Sequence, residues 1–257
     1  MNRLPVAYAG AVRTVGVDLA AEPAKTAVAV VDWTPGRAVV TALTVGMDDA
    51  AVLSASTGAD RIGVDAPFGW PDAFVSFVAA HHEHRAPPVS LATRADRRPL
   101  IKRRTDLVVQ EVARVVPLSV SADRIAHVAL RCAGLLADYQ ASGVNVDRID
   151  GQVCEVYPAA ALSRWGLPFR GYKGSDGRLA PVAAAVQAAA PWLDLGRFRS
   201  HFATDDDAFD AVIAALIARA VALGRTRTPD AGQRAAARRE GWIQLPACEL
   251  PELVVAQ

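Results

Sequence analysis

The sequence predicts an α/β protein, a mixed five-stranded sheet flanked by helices, forming one domain over residues 1–257. Three observations predict it. The first third carries three valine-rich stretches, 13–19, 26–33 and 37–45, separated by turn-forming segments such as Thr34-Pro35-Gly36, the pattern of an antiparallel meander. A helical stretch over 48–56 then precedes a fourth strand over 61–65, and that order makes the helix a crossover to a parallel neighbour. Finally, Val15-Gly16-Val17-Asp18-Leu19-Ala20 is echoed by Ile62-Gly63-Val64-Asp65-Ala66-Pro67, each an apolar strand ending in an aspartate.

The remaining elements follow in order. Residues 67–140 read as an insertion: a helix near 71–80, then a polar, proline-punctuated, basic stretch over 81–104 expected on the surface, then helical periodicity over 122–139. A fifth strand is expected over 152–157, and alanine-rich helices near 158–165 and 181–190. The last strong helix, 206–223, carries Phe209, Val212, Ile213, Leu216 and Ile217 at i, i+3, i+4, i+7 and i+8, a single apolar stripe. Residues 240–246 read as a short strand or an ordered tail against the core.

Composition narrows the classes. The chain is 52% hydrophobic, and 28 Lys and Arg nearly balance 27 Asp and Glu, which excludes a disordered tail and a histone-like mode of binding nucleic acid. Any nucleic-acid surface must be local. Cys132, Cys154 and Cys248 have no CxxC spacing, so neither a disulfide framework nor a zinc ribbon is expected. With no leader pattern and no run of roughly 20 apolar residues, the expected location is the cytoplasm.

The carboxylates carry the chemistry. On a period of two, Gly16 and Asp18 share one strand face, as do Gly63 and Asp65, and each glycine leaves space beside its acid. As parallel neighbours, the two strands bring both aspartates to the carboxyl edge of the sheet, where open α/β sheets bind ligands; a strand-end aspartate capping a turn is the plainer reading of each alone. Glu155 repeats the situation, because a charge inside an apolar strand costs free energy unless paired or metal-bound; exposure on an edge strand is the alternative. In the last helix Asp205, Asp206 and Asp207 suit the first turn after an expected N-cap at Thr204. Asp210 lies beyond that turn, at the border of the apolar stripe, with Asp206 and Asp207 placed to share a ligand with it. Carboxylates from strand ends and one helix suit Mg²⁺ or Mn²⁺ better than zinc, and two-metal hydrolysis of a phosphodiester would need no protein nucleophile.

These residues resemble a widespread family of unknown function, domain-of-unknown-function family 429, described as predicted nucleases with a ribonuclease H-like fold. The resemblance runs over nearly the whole chain. It rests on Gly16-Val17-Asp18, Val64-Asp65-Ala66-Pro67, Arg104-Thr105-Asp106, Glu155-Val156-Tyr157-Pro158, Tyr172-Lys173, Asp207-Ala208-Phe209-Asp210-Ala211 and Glu240-Gly241-Trp242-Ile243. It implies a ribonuclease H-like fold, with Asp18, Asp65, Glu155 and Asp210 as catalytic metal ligands and Asp207 as a fifth, and a nucleic-acid substrate, DNA or RNA.

Around that site, Arg94, Arg97, Arg98, Lys102, Arg103 and Arg104 form the densest basic patch. They read as phosphate contacts, with Arg104 and Asp106 at the substrate, or as a solvated insertion loop, or with Arg104 and Asp106 in a structural ion pair. Lys173 stands in a glycine-rich loop, 171–177, that either approaches a phosphate or is a plain flexible loop. His81, His82 and His84 lack a defined ligand geometry, and the tryptophans read as core, with Trp70 able to stack on a base. Two other functions fit the same fold: an actin-like nucleotide hydrolase using Lys25 and Thr26, and a noncatalytic module that binds nucleic acid or protein.

Overall fold

A computed structural model describes residues 12–85, 90–121, 123–174 and 178–254. Its sheet has six strands: β1 (Val12–Asp18), β2 (Ala27–Thr34), β3 (Arg37–Val45), β4 (Arg61–Asp65), β5 (Val153–Glu155) and β6 (Leu193–Asp194), in the spatial order β5-β4-β1-β2-β3-β6. The meander is antiparallel, and β1, β4 and β5 run parallel to one another. The expected count of five is corrected by β6, which pairs in parallel with the start of β3 through Ala38↔Leu193 and Val39↔Asp194. Two residues are too few for a period-two pattern to register in sequence.

Ten helices surround the sheet among the described residues: α1 (Asp49–Ala55), α2 (Asp72–His82), α3 (Arg94–Ile101), α4 (Arg104–Ala113), α5 (Asp123–Ala141), α6 (Pro158–Arg164), α7 (Leu179–Ala189), α8 (Arg199–Thr204), α9 (Asp206–Ala222) and α10 (Arg234–Glu240). Alternation sorts the strands onto two faces. Val15, Val17, Val28, Val30, Ile62 and Val64 pack against Cys132, Leu135 and Tyr139 of α5 and Val52 of α1. The opposite face meets α9, whose residues from Ala208 to Ala218 are each fully buried. The single stripe expected there is therefore too narrow: Ala211, Ala214, Ala215 and Ala218 seat the helix from the other sides. The N-cap also differs from expectation. Thr204 closes α8, and Asp205 caps α9 by accepting from the Ala208 N–H at 2.9 Å.

Small residues set how near α9 lies. A Cβ on Gly16 would stand 2.0 Å from the Ala211 carbonyl oxygen and 2.3 Å from the Ala215 nitrogen, and one on Gly63 would stand 2.7 Å from the Ala214 oxygen. Helix backbone thus rests directly on β1 and β4. Thr14 fastens it, donating from Oγ1 to the Ala215 carbonyl at 3.0 Å while accepting from Trp33 Nε1 at 2.9 Å.

The basic stretch 81–104 is mostly exposed, as expected of a surface segment, and residues 86–89 of it lie outside the described residues. Thr93 and Asp96 form a capping box that starts α3. Val108, Val109 and Ala113 of α4 join a core with Ile149, Ala160, Ala237, Trp242, Ile243 and Leu245. Residues 241–246 form an ordered tail rather than a strand, and the Gln244 N–H donates to the Glu155 carbonyl at 2.9 Å, covering the outer edge of β5. No described helix is long and apolar enough to cross a membrane, and the three cysteines are free.

Candidate functional site

Strand register brings the first two acids together. Asp18 and Asp65 are paired residues at the carboxyl ends of the parallel neighbours β1 and β4. Asp210, in the second turn of α9, reaches them because Gly16 and Gly63 admit that helix so closely. Carboxylate oxygens of Asp18, Asp65 and Asp210 lie within 4.8 Å of one another. Asp210 is wholly buried and Asp18 nearly so, at 8% exposure.

Three acids so close and so largely buried resist ionisation. Burial, then the charge of Asp210, pushes the Asp18 carboxyl well above its usual range. Burial pushes Asp65 up to about 7, against the opposing pull of Lys173 and with further upward pressure from Asp210 and Glu155. Asp210 is raised by burial too, while Lys173 and Tyr172 hold it down. Lys173 is their counter-ion: its ammonium lies 2.5 Å from Asp210 Oδ2, and although burial works against its charge, Asp210, Asp18 and Asp65 together raise its pKa.

The lysine is delivered by a short loop pinned to α9. Tyr172 donates its hydroxyl to Asp210 Oδ1 at 2.7 Å, and the Gly174 N–H donates to Asp206 Oδ2 at 3.2 Å. Gly171 and Gly174 take the left-handed conformation on either side of the pair, at φ +65° and +104°. Residues 175–177 of the expected glycine-rich loop lie outside the described residues.

Glu155 stands apart from this trio. Arg103 engages both of its oxygens, Nη2 to Oε1 at 2.7 Å and Nη1 to Oε2 at 3.0 Å, and the Phe68 N–H adds a bond of 3.2 Å to Oε2. Asp106, one of the expected substrate contacts, is the second carboxylate on the same guanidinium, accepting from Nη2 at 3.0 Å and from the Arg103 N–H at 2.8 Å. All three side chains are buried, and Asp106 faces Arg103. Of the two structural readings of Arg104 and Asp106, an ion pair does form, but its cation is Arg103. Arg104 is exposed and is tied down through its backbone N–H, which donates to Glu240 Oε2 at 2.6 Å. Asp207 turns toward Lys25, 3.4 Å from its ammonium, and does not join the three-carboxylate group.

Two parts of this architecture escaped the sequence reading. Arg103 was visible only as one of several basic residues, although its place three before Asp106 is the N-cap to N3 spacing of α4. Glu240 accepts from the Asp72 N–H at 3.0 Å as well as from Arg104, setting one carboxylate at the start of both α2 and α4, where the helix dipole favours it. Gly241 follows it at φ +94°, and a Cβ there would fall 2.4 Å from Glu155 Oε2.

Beside the trio is a cavity of about 450 Å³, bordered by Asp18, Asp65, Tyr157, Tyr172 and Lys173 together with several apolar side chains. Fold and site together define an α/β protein with a mixed six-stranded sheet and a buried acidic cluster at the carboxyl edge of its parallel strands. The chain belongs to the family described as "Protein of unknown function (DUF429)", whose model matches residues 16–234. No curated protein and no solved structure matches it.

Proposed function

We propose that this chain is a divalent-metal-dependent phosphodiester hydrolase of ribonuclease H-like architecture, a nuclease acting in the cytoplasm. The observation that carries the reading is the convergence of Asp18, Asp65 and Asp210, from two strands and a helix, to within 4.8 Å. A strand order of β5-β4-β1-β2-β3, with an antiparallel meander and two further parallel strands, supports the architecture.

The donor set fits Mg²⁺ or Mn²⁺. It is composed of hard oxygen donors, and Asp210 Oδ2, though buried, has no hydrogen-bond partner beyond its ion pair with Lys173. Asp18, Asp65 and Asp210 would hold one ion; Glu155 is committed to Arg103 and Asp207 faces Lys25, so the geometry favours one ion over the two expected from sequence. A bound ion there would supply Lewis acidity and a lowered pKa for water. The protein's own part is positional. Tyr172 orients Asp210, the Arg103 network fixes the end of β5 beside Asp65, and Lys173 is a cation within reach of a phosphate once it leaves Asp210.

The test is Mn²⁺ calorimetry on wild type and on Asp18→Asn/Asp210→Asn, with folding checked by circular dichroism, followed by cleavage assays on DNA and RNA. Binding and cleavage that vanish together in a folded variant support the reading. Retained cleavage in the variant refutes it, and absence of Mn²⁺ binding by wild type favours a noncatalytic module instead.

A further inference from the structure

The cavity beside the carboxylates limits what can be presented to them. Its volume of about 450 Å³ is that of a site for one compact organic group. Apart from the acids at one end, its walls are largely apolar, with Leu118, Ile125, Val128, Val156, Phe169 and Ile243 among them. Two cations line it, Arg103 and Lys173, and both already face carboxylates.

A protein that draws a nucleic-acid strand across its site tracks the backbone with a row of cations. Here three of the basic residues before α4 are turned to other uses. Arg97 donates to the Leu91 and Ala92 carbonyls, Arg98 to Gln110 and Lys102 to the Pro117 carbonyl, and none of these three lines the cavity. What borders the acids is a chamber that can bury a base and sugar, with Phe169 and Tyr157 among the residues that line it.

Resting on the metal-centre reading, we propose that the site takes one nucleotide unit at a time. The three carboxylates would hold the ion beside which the phosphate of a diester is presented, while its nucleoside fills the apolar chamber, so small nucleotide esters and strand ends are substrates and strand interiors are not. The reaction is hydrolysis. Water oxygen bonds to phosphorus, the P–O ester bond breaks, and the leaving oxygen departs as an alcohol with one proton from that water, leaving a monoester and releasing the other proton.

Three Mn²⁺-supplemented substrates test this: the p-nitrophenyl ester of thymidine 5′-monophosphate, a linear single-stranded DNA and the same DNA closed into a circle. The expected result is hydrolysis of the ester, of the linear strand from its end, or of both, with the circle cut at least about 100-fold more slowly than the better substrate. Turnover of the ester alone assigns free nucleotide esters as the source; trimming of the linear strand assigns ends. Leu118 is half exposed, so Leu118→Asp places a charge in the chamber at small cost to folding, and is expected to raise KM for the accepted substrate by about 10-fold with Mn²⁺ affinity unchanged. A circle cut as fast as the linear strand, or no hydrolysis of ester or strand by protein that binds Mn²⁺, overturns this inference and leaves the metal centre standing. Failure of wild type to bind Mn²⁺ overturns both.

Discussion

Lys173 occupies, as an organic cation, the place that a divalent ion would compete for, and replacing it should tighten metal binding. Its ammonium lies 2.5 Å from a carboxylate that is fully buried, while the lysine side chain is itself 56% exposed. An exposed pair contributes about 0–1 kcal/mol, and breaking a buried one costs about 3–5 kcal/mol. For this half-exposed pair we take about 1.5–3 kcal/mol, the free energy that a metal ion must now supply to displace the lysine and that Lys173→Met removes. At about 1.4 kcal/mol per decade, the variant should bind Mn²⁺ roughly 10–100-fold more tightly. Lys173 also pulls down the pKa of Asp65 and Asp210, so its loss lets protons compete for the same oxygens. Calorimetry at about pH 8.5 keeps that competition small. Lys173→Arg, which retains the charge, should stay close to wild type. Unchanged or weaker Mn²⁺ binding by Lys173→Met would refute the claim that the lysine and the metal compete for one place.

Arg103→Met leaves Glu155 and Asp106 buried without their cation, and should lower unfolding stability by about 3–5 kcal/mol in urea titrations; a loss under about 1 kcal/mol would show that the guanidinium is not holding the two acids. Gly16→Ala forces a methyl to 2.0 Å from the Ala211 oxygen, so α9 must shift. Destabilisation of about 3 kcal/mol or more is expected, with weakened Mn²⁺ binding because Asp210 moves with the helix. Without metal, stability should fall as pH rises from about 4 to about 7. Asp65 keeps its proton in the folded state up to about 7, whereas the unfolded chain releases it near the ordinary carboxyl value of 3.8, so the folded state binds more protons across that window. The contribution of Asp65 is at most about 4 kcal/mol. Saturating Mn²⁺ should reduce or reverse the slope, and a metal-free protein that grows more stable over the same window would contradict the raised pKa.

Much of the fold was legible because its strands obey simple periodicities. β3 and β4 fall at the expected bounds, and β1, β2 and α1 differ from them by a residue at either end. What sequence could not show was the result of crowding between elements. α9 looks amphipathic, with one stripe of large residues, yet its alanines are buried as well; an alanine on an exposed helix face and one pressed against a sheet are the same letter. The glycines of β1 and β4 were read as space beside an acid. In the structure that space is filled by helix backbone, and its filling is what carries Asp210 to Asp18 and Asp65.

Glu155 shows where sequence reasoning about the site stops. Its strand position made exposure costly to reconcile with the apolar neighbours and left two ways to stabilise a buried charge: a partner or a metal. Which of the two operates depends on a residue 52 positions away, and the local signal at Arg103, its N-cap to N3 spacing to Asp106, points to a helix start and not to Glu155. The structure pairs Glu155 with Arg103, brings Asp106 to the same guanidinium and leaves the neighbouring trio with one partly exposed lysine. The two acidic sites therefore differ in how readily their cation can be exchanged. Arg103 is held by carboxylates on both sides and by the Glu240 carbonyl at 3.1 Å, an arrangement that favours permanence. Lys173 faces three largely buried acids that all resist ionisation, on a loop flanked by two left-handed glycines, and it is the cation that an arriving divalent ion can displace.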